Sequence, residues 1–153
     1  MKNLLIGLCL FMSSGFAFAS GSTTQENSNM ALIKDMFSQY AEKLDNSKIE
    51  SYFSKNFQLV ENNEKEKYED FKKEQETIFK NLKSLKILSY EDVIAKDDKV
   101  VGRVSMKLNA KNGQSKTYYV IFVATIKDNK IEKIWQLVYP NWDEKFLQPT
   151  DKA

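Results

Sequence analysis

The side chains of this 153-residue sequence limit the chemistry that it can perform. It contains no His, one Cys at position 9, and a single Arg, Arg103, among its 23 basic residues. Without imidazole, a Ser-His-Asp triad, a Cys-His pair and a His-ligated zinc site are excluded. One Cys excludes an internal disulfide and a cysteine-ligated iron–sulfur cluster. Carboxylates, tyrosines, lysines and one guanidinium remain as the groups for acid–base or binding chemistry.

Arg103 is a candidate binding residue. It alternates with Ser105 and Lys107 along one predicted strand, so Arg103 and Lys107 could hold an anionic ligand or a partner's carboxylate. The alternative is that both are charges on a solvent-exposed or dimer face. A net charge of +2 without a basic stripe does not predict nucleic-acid binding. No metal or cofactor is expected, because Asp97-Asp98 fits a turn and no glycine-rich phosphate loop is present.

The N-terminal segment has the pattern of a secretory signal peptide. A basic start is followed by an apolar run from Leu4 to Met12 and by an A-x-A motif at 17–19. The apolar run is too short for a spanning helix. We therefore expect cleavage after Ala19 and a periplasmic or secreted mature chain that is not inserted in the membrane. Residues 20–29 are small and polar, which predicts a flexible lead-in.

Helical patterning dominates the first half of the mature chain. An apolar stripe that Ser28 or Asn29 can cap recurs at helical spacing. Its members are Ile33, Met36, Phe37, Tyr40, Ala41 and Leu44. A capping box at Ser47 opens a short second helix, and a strand is predicted for Phe57–Glu61. The charged stretch 61–76 is interpreted as leading into the solvated face of a third helix.

Patterning of period two predicts four consecutive strands in the second half. They are 85–95, 99–109, 116–127 and 130–139. The short turns between them require antiparallel neighbours, so the fold class is α+β, with N-terminal helices packed on an antiparallel sheet. Tyr118 to Ala124 is apolar on both faces, which predicts cover by helices on one side and by something else, which could be a partner subunit, on the other. One domain is expected over 30–146, with a tail at 147–153.

This order of elements resembles the nuclear transport factor 2-like superfamily, which includes ketosteroid isomerase and the SnoaL-like polyketide cyclases. The run from Met36 to Val60 (MFSQYAEKLDNSKIESYFSKNFQLV) is similar to the helix, polar break, short helix and strand that open such domains. The resemblance covers roughly Met30 to Trp142. It implies a cone-shaped, cystatin-like fold in which a curved sheet wraps the long helix around an internal pocket. It also implies a homodimer through the outer face of the sheet.

The resemblance places candidate catalytic residues as well. Tyr40 falls on the helix tyrosine of ketosteroid isomerase, and Glu61 falls on its carboxylate base. Glu61 shares a strand face with Phe57 and Leu59, which directs it inward if they face the core. Burial would raise the pKa of such a carboxylate toward that of a general base, and a Tyr hydroxyl could donate to an oxyanion. The isomerase's third position falls near Phe122, and the histidine typical of the cyclases is absent.

Aromatic residues could line the pocket, and core packing is their alternative role. The predicted lining residues are Phe37, Tyr40, Tyr52, Phe79, Tyr90, Trp135 and Tyr139. The leading hypothesis is an exported, non-catalytic module that binds a small hydrophobic ligand or a protein partner. One alternative is a carboxylate-based isomerase, lyase or cyclase that uses Glu61 and Tyr40. Another is an interaction subunit of an envelope or secretion assembly.

Overall fold

The computed structural model describes residues 23–148, in which helices pack on one face of a curved six-stranded sheet that is not closed. The helices are α1 (Thr24–Asp35), continued by a π-helical segment (Met36–Ala41), then a 3₁₀ turn (Asn46–Lys48), α2 (Ile49–Tyr52) and α3 (Tyr68–Asn81). The strands are β1 (Phe53–Glu61), β2 (Glu64–Lys67), β3 (Leu82–Lys96), β4 (Lys99–Ala110), β5 (Ser115–Lys127) and β6 (Lys130–Tyr139). A 3₁₀ turn (Glu144–Leu147) follows. The α+β prediction is confirmed, and the predicted signal peptide lies outside the described residues.

Helix α1 begins earlier than the sequence pattern indicated. It starts at Thr24 and is capped by Thr23, whereas Ser28 or Asn29 was the predicted cap. The backbone N–H of Glu26 donates to Thr23 Oγ1 at 3.1 Å, and the backbone N–H of Thr23 donates to Glu26 Oε2 at 2.7 Å. This reciprocal capping box satisfies donors that the first helical turn otherwise leaves free.

Long-range contacts explain why the helix reaches so far toward the N-terminus. The Lys96 ammonium and the backbone N–H of Asp97 lie 3.1 Å and 3.3 Å from Glu26 Oε1. Asn29 is 1% exposed and donates from Nδ2 to the Asp97 carbonyl at 2.9 Å. Hydrogen bonds from Thr23, Lys96 and Asp97 lower the pKa of Glu26 to about 2. The predicted flexible lead-in was therefore wrong for 24–29, because its partners are distant in sequence.

The predicted meander is confirmed, but the sequence did not predict how β1 joins it. The strand order is β2-β1-β6-β5-β4-β3, with antiparallel pairing throughout β3 to β6. Strand β1 pairs with β6 in parallel. The sheet is therefore mixed, whereas the sequence predicted a wholly antiparallel sheet. This pairing places Leu59 opposite Ile134 and Glu61 opposite Gln136. Local patterning cannot show it, because the two strands lie far apart in the chain.

Strand β2 was missed by the sequence prediction. Its four residues are all charged and were assigned to the approach to a helix, but they pair with β1 in an antiparallel hairpin. Asn62 and Asn63 form the turn with φ of 48° and 75°. Asparagine tolerates this left-handed conformation and is favoured in two-residue hairpin turns. The Asn-Asn pair was thus the available signal for the hairpin.

The two faces of the meander follow the predicted parity. On β4, Val104 and Leu108 are buried on the inner face, while Arg103 and Lys107 are exposed on the outer face. Strand β3 carries three register irregularities along its pairing with β4. Such bulges increase local twist and bend a sheet. The resulting curvature lets one sheet enclose space against the helices.

Aromatic rings connect the helices to the sheet. Phe53, Phe57 and Phe71 join β1 to α3, with ring centroids separated by 4.7 to 5.0 Å. A smaller cluster forms where Trp142 and Phe146 fold back onto Tyr118. Within 23–148, none of the helices is both long enough and apolar enough to cross a membrane.

Candidate functional site

A cavity of about 830 Å³ lies between the helices and the inner face of the sheet. Its wall is largely apolar and includes Ile33, Phe37, Leu85, Met106, Val120 and Ile134. Cavities that take small molecules commonly enclose about 300–1,000 Å³ and combine such walls with a few polar groups. The curved sheet and the packed helices therefore leave room for a ligand inside the domain.

Glu61 lies in the wall of this cavity, at the end of β1. Its side chain is half-buried, and Gln136 on the paired strand donates from Nε2 to Glu61 Oε2 at 2.5 Å. Burial raises the pKa of Glu61, the Gln136 hydrogen bond partly opposes this, and the carboxylates of Glu74 and Glu64 add to the increase. A carboxylate in this setting is both oriented and a stronger base than an exposed one.

Tyr40 lines the same cavity from the π-helical segment. Its ring packs on Phe53 and Phe79 at centroid distances of 5.6 Å and 5.1 Å. Its hydroxyl donates to Asn46 Oδ1 at 3.4 Å, and burial, reinforced by Tyr68, raises its pKa. The phenol therefore stays protonated, and its hydrogen bond is made with the helix break and not with Glu61.

Phe122 occupies the inner face of β5 at the position where the resemblance expects a second oxyanion donor. Its ring lines the cavity and is buried, and it contacts Phe37 edge-on at 6.0 Å. The structure thus brings Tyr40 and Glu61 to one cavity. It adds an apolar ring, and no hydrogen-bond donor, at the third position.

Three of the seven aromatic residues predicted to line the pocket do so: Phe37, Tyr40 and Phe79. Tyr52 lies behind Tyr40 at a centroid distance of 6.3 Å, and its hydroxyl donates to Asp35 Oδ2 at 2.6 Å. Tyr90 contacts Phe37 edge-on at 5.9 Å but is partly exposed beyond the cavity wall. Tyr52 and Tyr90 therefore support the lining residues and do not line the cavity.

The prediction for Trp135 and Tyr139 was wrong. Their strand neighbours Gln136 and Val138 line the cavity. Because successive side chains of a strand point to opposite faces, Trp135 and Tyr139 project from the outer face. Tyr139 is 72% exposed. The prediction relied on residue type and did not apply strand parity, which would have excluded both.

A group of carboxylates at one side of the cavity was missed as a functional feature. Besides Glu61, the acidic lining residues are Glu64, Glu66, Asp70 and Glu74. Burial and the neighbouring Glu74 raise the pKa of Glu66 to about 7. Over the described chain, no three acidic or other metal-binding side chains have an arrangement that could hold an ion. The β1–β2 hairpin brings these residues together. Because the sequence prediction missed β2, it also missed this group of carboxylates.

Arg103 and Lys107 lie on the outer face of β4, away from the cavity. The Arg103 guanidinium pairs with Glu91, which faces it across the β3–β4 pair, and lies 3.7 Å from Asp92 Oδ2. Lys107 is exposed. A role for either residue in ligand binding would therefore involve the outer face alone.

No protein-family model and no curated protein matches the sequence. Solved structures do match. A protein from Jannaschia sp. CCS1 assigned as a SnoaL-like polyketide cyclase is 14% identical, with 78% of this chain and 90% of that chain covered at a TM-score of 0.65. A nuclear transport factor 2-like protein of unknown function from Burkholderia pseudomallei is 10% identical, with coverage of 76% and 91% and a TM-score of 0.57. The chain has the nuclear transport factor 2-like fold.

Another structure with this fold shows how widely its chemistry varies. An LEH-like epoxide hydrolase from M. tuberculosis is 8% identical to the chain, with 74% of this chain and 84% of that chain covered at a TM-score of 0.64. Identities this low establish the nuclear transport factor 2-like fold alone. The function must therefore be argued from the cavity and its residues.

Proposed function

We propose that this nuclear transport factor 2-like chain binds a small hydrophobic molecule in its cavity without transforming it. The observation that carries the proposal is the cavity itself, which encloses about 830 Å³ behind a largely apolar wall. Removing an apolar ligand from water into this space is favourable by about 25 cal/mol for each Å² buried. Gln136 and the five carboxylates that line the cavity supply polar groups that can orient the ligand.

The absence of catalysis in this proposal rests on Phe122 and Tyr40. Phe122 gives no hydrogen bond to a developing oxyanion, and the Tyr40 hydroxyl is engaged with Asn46. Oriented donors supply much of the stabilisation of an oxyanion transition state. A cavity that keeps its base but has no free donor at the Tyr40 and Phe122 positions favours binding over turnover.

A fluorescence titration with a neutral hydrophobic dye tests the binding. Leu85→Trp places a large ring in the cavity wall, and Leu88→Trp places the same ring at an exposed position of the same strand. We expect Leu85→Trp to weaken dye binding at least roughly tenfold, about 1.4 kcal/mol, and Leu88→Trp to leave it unchanged. Equal affinity in both variants would show that the dye binds elsewhere, and the proposal would fail.

A second candidate function is favoured by the environment of Glu61. The carboxylate has a raised pKa, it is held by Gln136, and it lines an apolar cavity together with Tyr40. These features support a carboxylate-based isomerase, lyase or cyclase. In that case Glu61→Gln should abolish turnover, and the rate should fall with acid below the raised pKa of Glu61. Activity that survives Glu61→Gln would rule out this assignment.

We further propose that two copies pair through the outer face of the sheet and that the protein is exported. An exposed apolar surface on β4 to β6 supports the pairing, and we call it the outer patch: Val101, Tyr119, Ile121, Trp135, Leu137 and Tyr139. Exposed apolar surfaces of this kind commonly mark protein interfaces. The signal-peptide pattern of residues 1–19 supports export. The alternative role as a subunit of an envelope or secretion assembly would use the same patch.

A further inference from the structure

The charged groups that line the cavity are almost all of one sign. Five carboxylates line it: Glu61, Glu64, Glu66, Asp70 and Glu74. The basic residue in the same wall, over 23–148, is Lys65. The carboxylates come from the end of β1, from β2 and from the first turns of α3. We call this group the acidic rim.

Over residues 23–148, no cationic side chain pairs with the acidic rim. Glu61 receives its hydrogen bond from Gln136, which is uncharged. Glu66 and Glu74 are both half-buried, and burial, the charge of Glu74 and a hydrogen bond between the two carboxyl groups raise the pKa of Glu66 to about 7. Because half-buried carboxylates are unfavourable without compensation, a cation placed beside Glu66 and Glu74 would be favoured there.

A second observation comes from Tyr118, on the inner face of β5. Its side chain lines the cavity beside Val120 and Phe122, which share its face. The residue is 1% exposed, yet its hydroxyl has no hydrogen-bond partner within 23–148. An orphaned buried hydroxyl is unfavourable, and buried polar groups are normally satisfied. The Tyr118 hydroxyl can accept a hydrogen bond, so a polar atom of a bound ligand can supply the partner that the protein does not.

We propose that the cavity selects hydrophobic molecules that carry a positively charged amine. Such a ligand would pack its apolar part against the wall and place its ammonium group at the acidic rim, between Glu66 and Glu74. An ammonium carries three donors, and its hydrogen bonds to carboxylates are stronger than those between neutral groups. An anionic ligand of the same size would be repelled. This inference rests on the proposed binding function and specifies the charge of the ligand.

The test compares three ligands of one chain length on the full chain: decylamine, decanol and decanoate. The affinity of each ligand is measured by its displacement of the neutral hydrophobic dye. The assay is run at about pH 8, where the amine is protonated and the acidic rim is ionised. We expect decylamine to bind at least roughly tenfold more tightly than decanol and decanoate to bind most weakly. If decanol matches decylamine, or decanoate binds best, the inference is overturned while the binding function stands. If neither the dye nor any ligand binds, the proposed function itself fails.

Variants of the rim separate charge selection from general cavity binding. The double variant Glu66→Gln/Glu74→Gln should reduce decylamine affinity to that of decanol, and decanol affinity should stay the same. Glu76→Gln is the matched control, because Glu76 is exposed on α3, the helix that carries Glu74, and is not a cavity residue. Binding of decanol reports that each variant is folded. A preference for decylamine that survives the double variant would overturn the inference.

Discussion

At the scale of single residues, the pKa values of two carboxylates, Glu26 and Glu66, are shifted in opposite directions. Glu26 is surrounded by donors from Thr23, Lys96 and Asp97, which favour its charged form. Glu66 is half-buried beside Glu74, and both features disfavour its charged form. The first carboxylate helps to hold the fold together. The second is destabilising to the fold and is therefore a candidate for function.

The raised pKa of Glu66 predicts a pH-dependent stability. In the unfolded chain Glu66 loses its proton near pH 4.5, whereas in the native state it keeps it up to about pH 7. The native state thus binds more protons between these values, so this contribution weakens the fold as the pH rises through 7. Glu66→Gln should raise the free energy of unfolding on the order of 1 kcal/mol at about pH 8, after allowance for solvent screening, with no change at about pH 4.

Urea unfolding of both proteins at the two pH values measures this difference. Glu76→Gln serves as the control and should have no effect at either pH, since Glu76 is exposed. An equal effect of Glu66→Gln at both pH values would mean that the native carboxyl titrates normally.

Individual site residues differ in how well the sequence predicted them. The alternation of β1 placed Glu61 on the inner face correctly, because strand parity is a local property. Trp135 and Tyr139 were misplaced because aromatic character was given more weight than parity. Glu66 and Glu74 could not be joined to Glu61 from sequence, since their approach depends on the hairpin pairing and on the position of α3 against the sheet.

At the scale of elements, β3 must bend over β4 for the sheet to curve. Gly102 lies at this point on the inner face of β4. A Cβ atom there would lie 2.9 Å from Val93 Cγ2 on β3 and 3.2 Å from Phe122 Cζ on β5. Glycine is thus needed at position 102 because the neighbouring side chains approach closely. Its backbone angle is not one that requires glycine.

Gly102→Ala should therefore destabilise the protein by about 1–3 kcal/mol, because the added methyl group overpacks this layer. The free energy of unfolding from chemical denaturation is the measurement. Gly113→Ala is a poor control because its φ is positive, at 91°. Lys107→Ala is a better one, because that side chain is exposed on the outer face of the same strand. Unchanged stability of Gly102→Ala would show that β3 can shift without loss.

Helix α1 gives an element-scale test of the corrected N-terminus. A chain that starts at Thr23 keeps the capping box and the Asn29 and Glu26 contacts, and a chain that starts at Met30 loses all of them. We expect the shorter chain to be less stable by at least about 2 kcal/mol, since a helix cap and buried hydrogen bonds are lost together. Equal thermal stability of the two chains would restore the flexible lead-in that the sequence predicted.

At the scale of the whole molecule, the outer patch predicts self-association. Tyr119 and Ile121 on β5 face Tyr139 and Leu137 on β6 across the sheet, and all four are exposed. Analytical ultracentrifugation should show a dimer that Ile121→Lys converts to a monomer, because an ammonium group is costly to bury at an interface. Ser115→Lys, at the exposed start of the same strand, should remain a dimer. A wild-type protein that stays monomeric at high concentration would contradict the pairing.

The overall architecture was more predictable than the site because the meander depends on local alternation and short turns. Strands β3 to β6 follow directly from the period-two pattern. The parallel β1–β6 pairing and the β1–β2 hairpin were not predicted, and they set the polar side of the cavity. The fold was thus predicted from local order, whereas the acidic rim depends on contacts between distant segments.

Methyl NMR during titration with the neutral hydrophobic dye tests the central claim, that the cavity is the ligand site. Leu85, Met106 and Ile134 line the cavity, and Ile121 and Leu137 belong to the outer patch. We expect the methyl signals of the first group to shift with saturation and those of the second group to stay in place. Shifts confined to Ile121 and Leu137, or no shift in either group, would contradict the account.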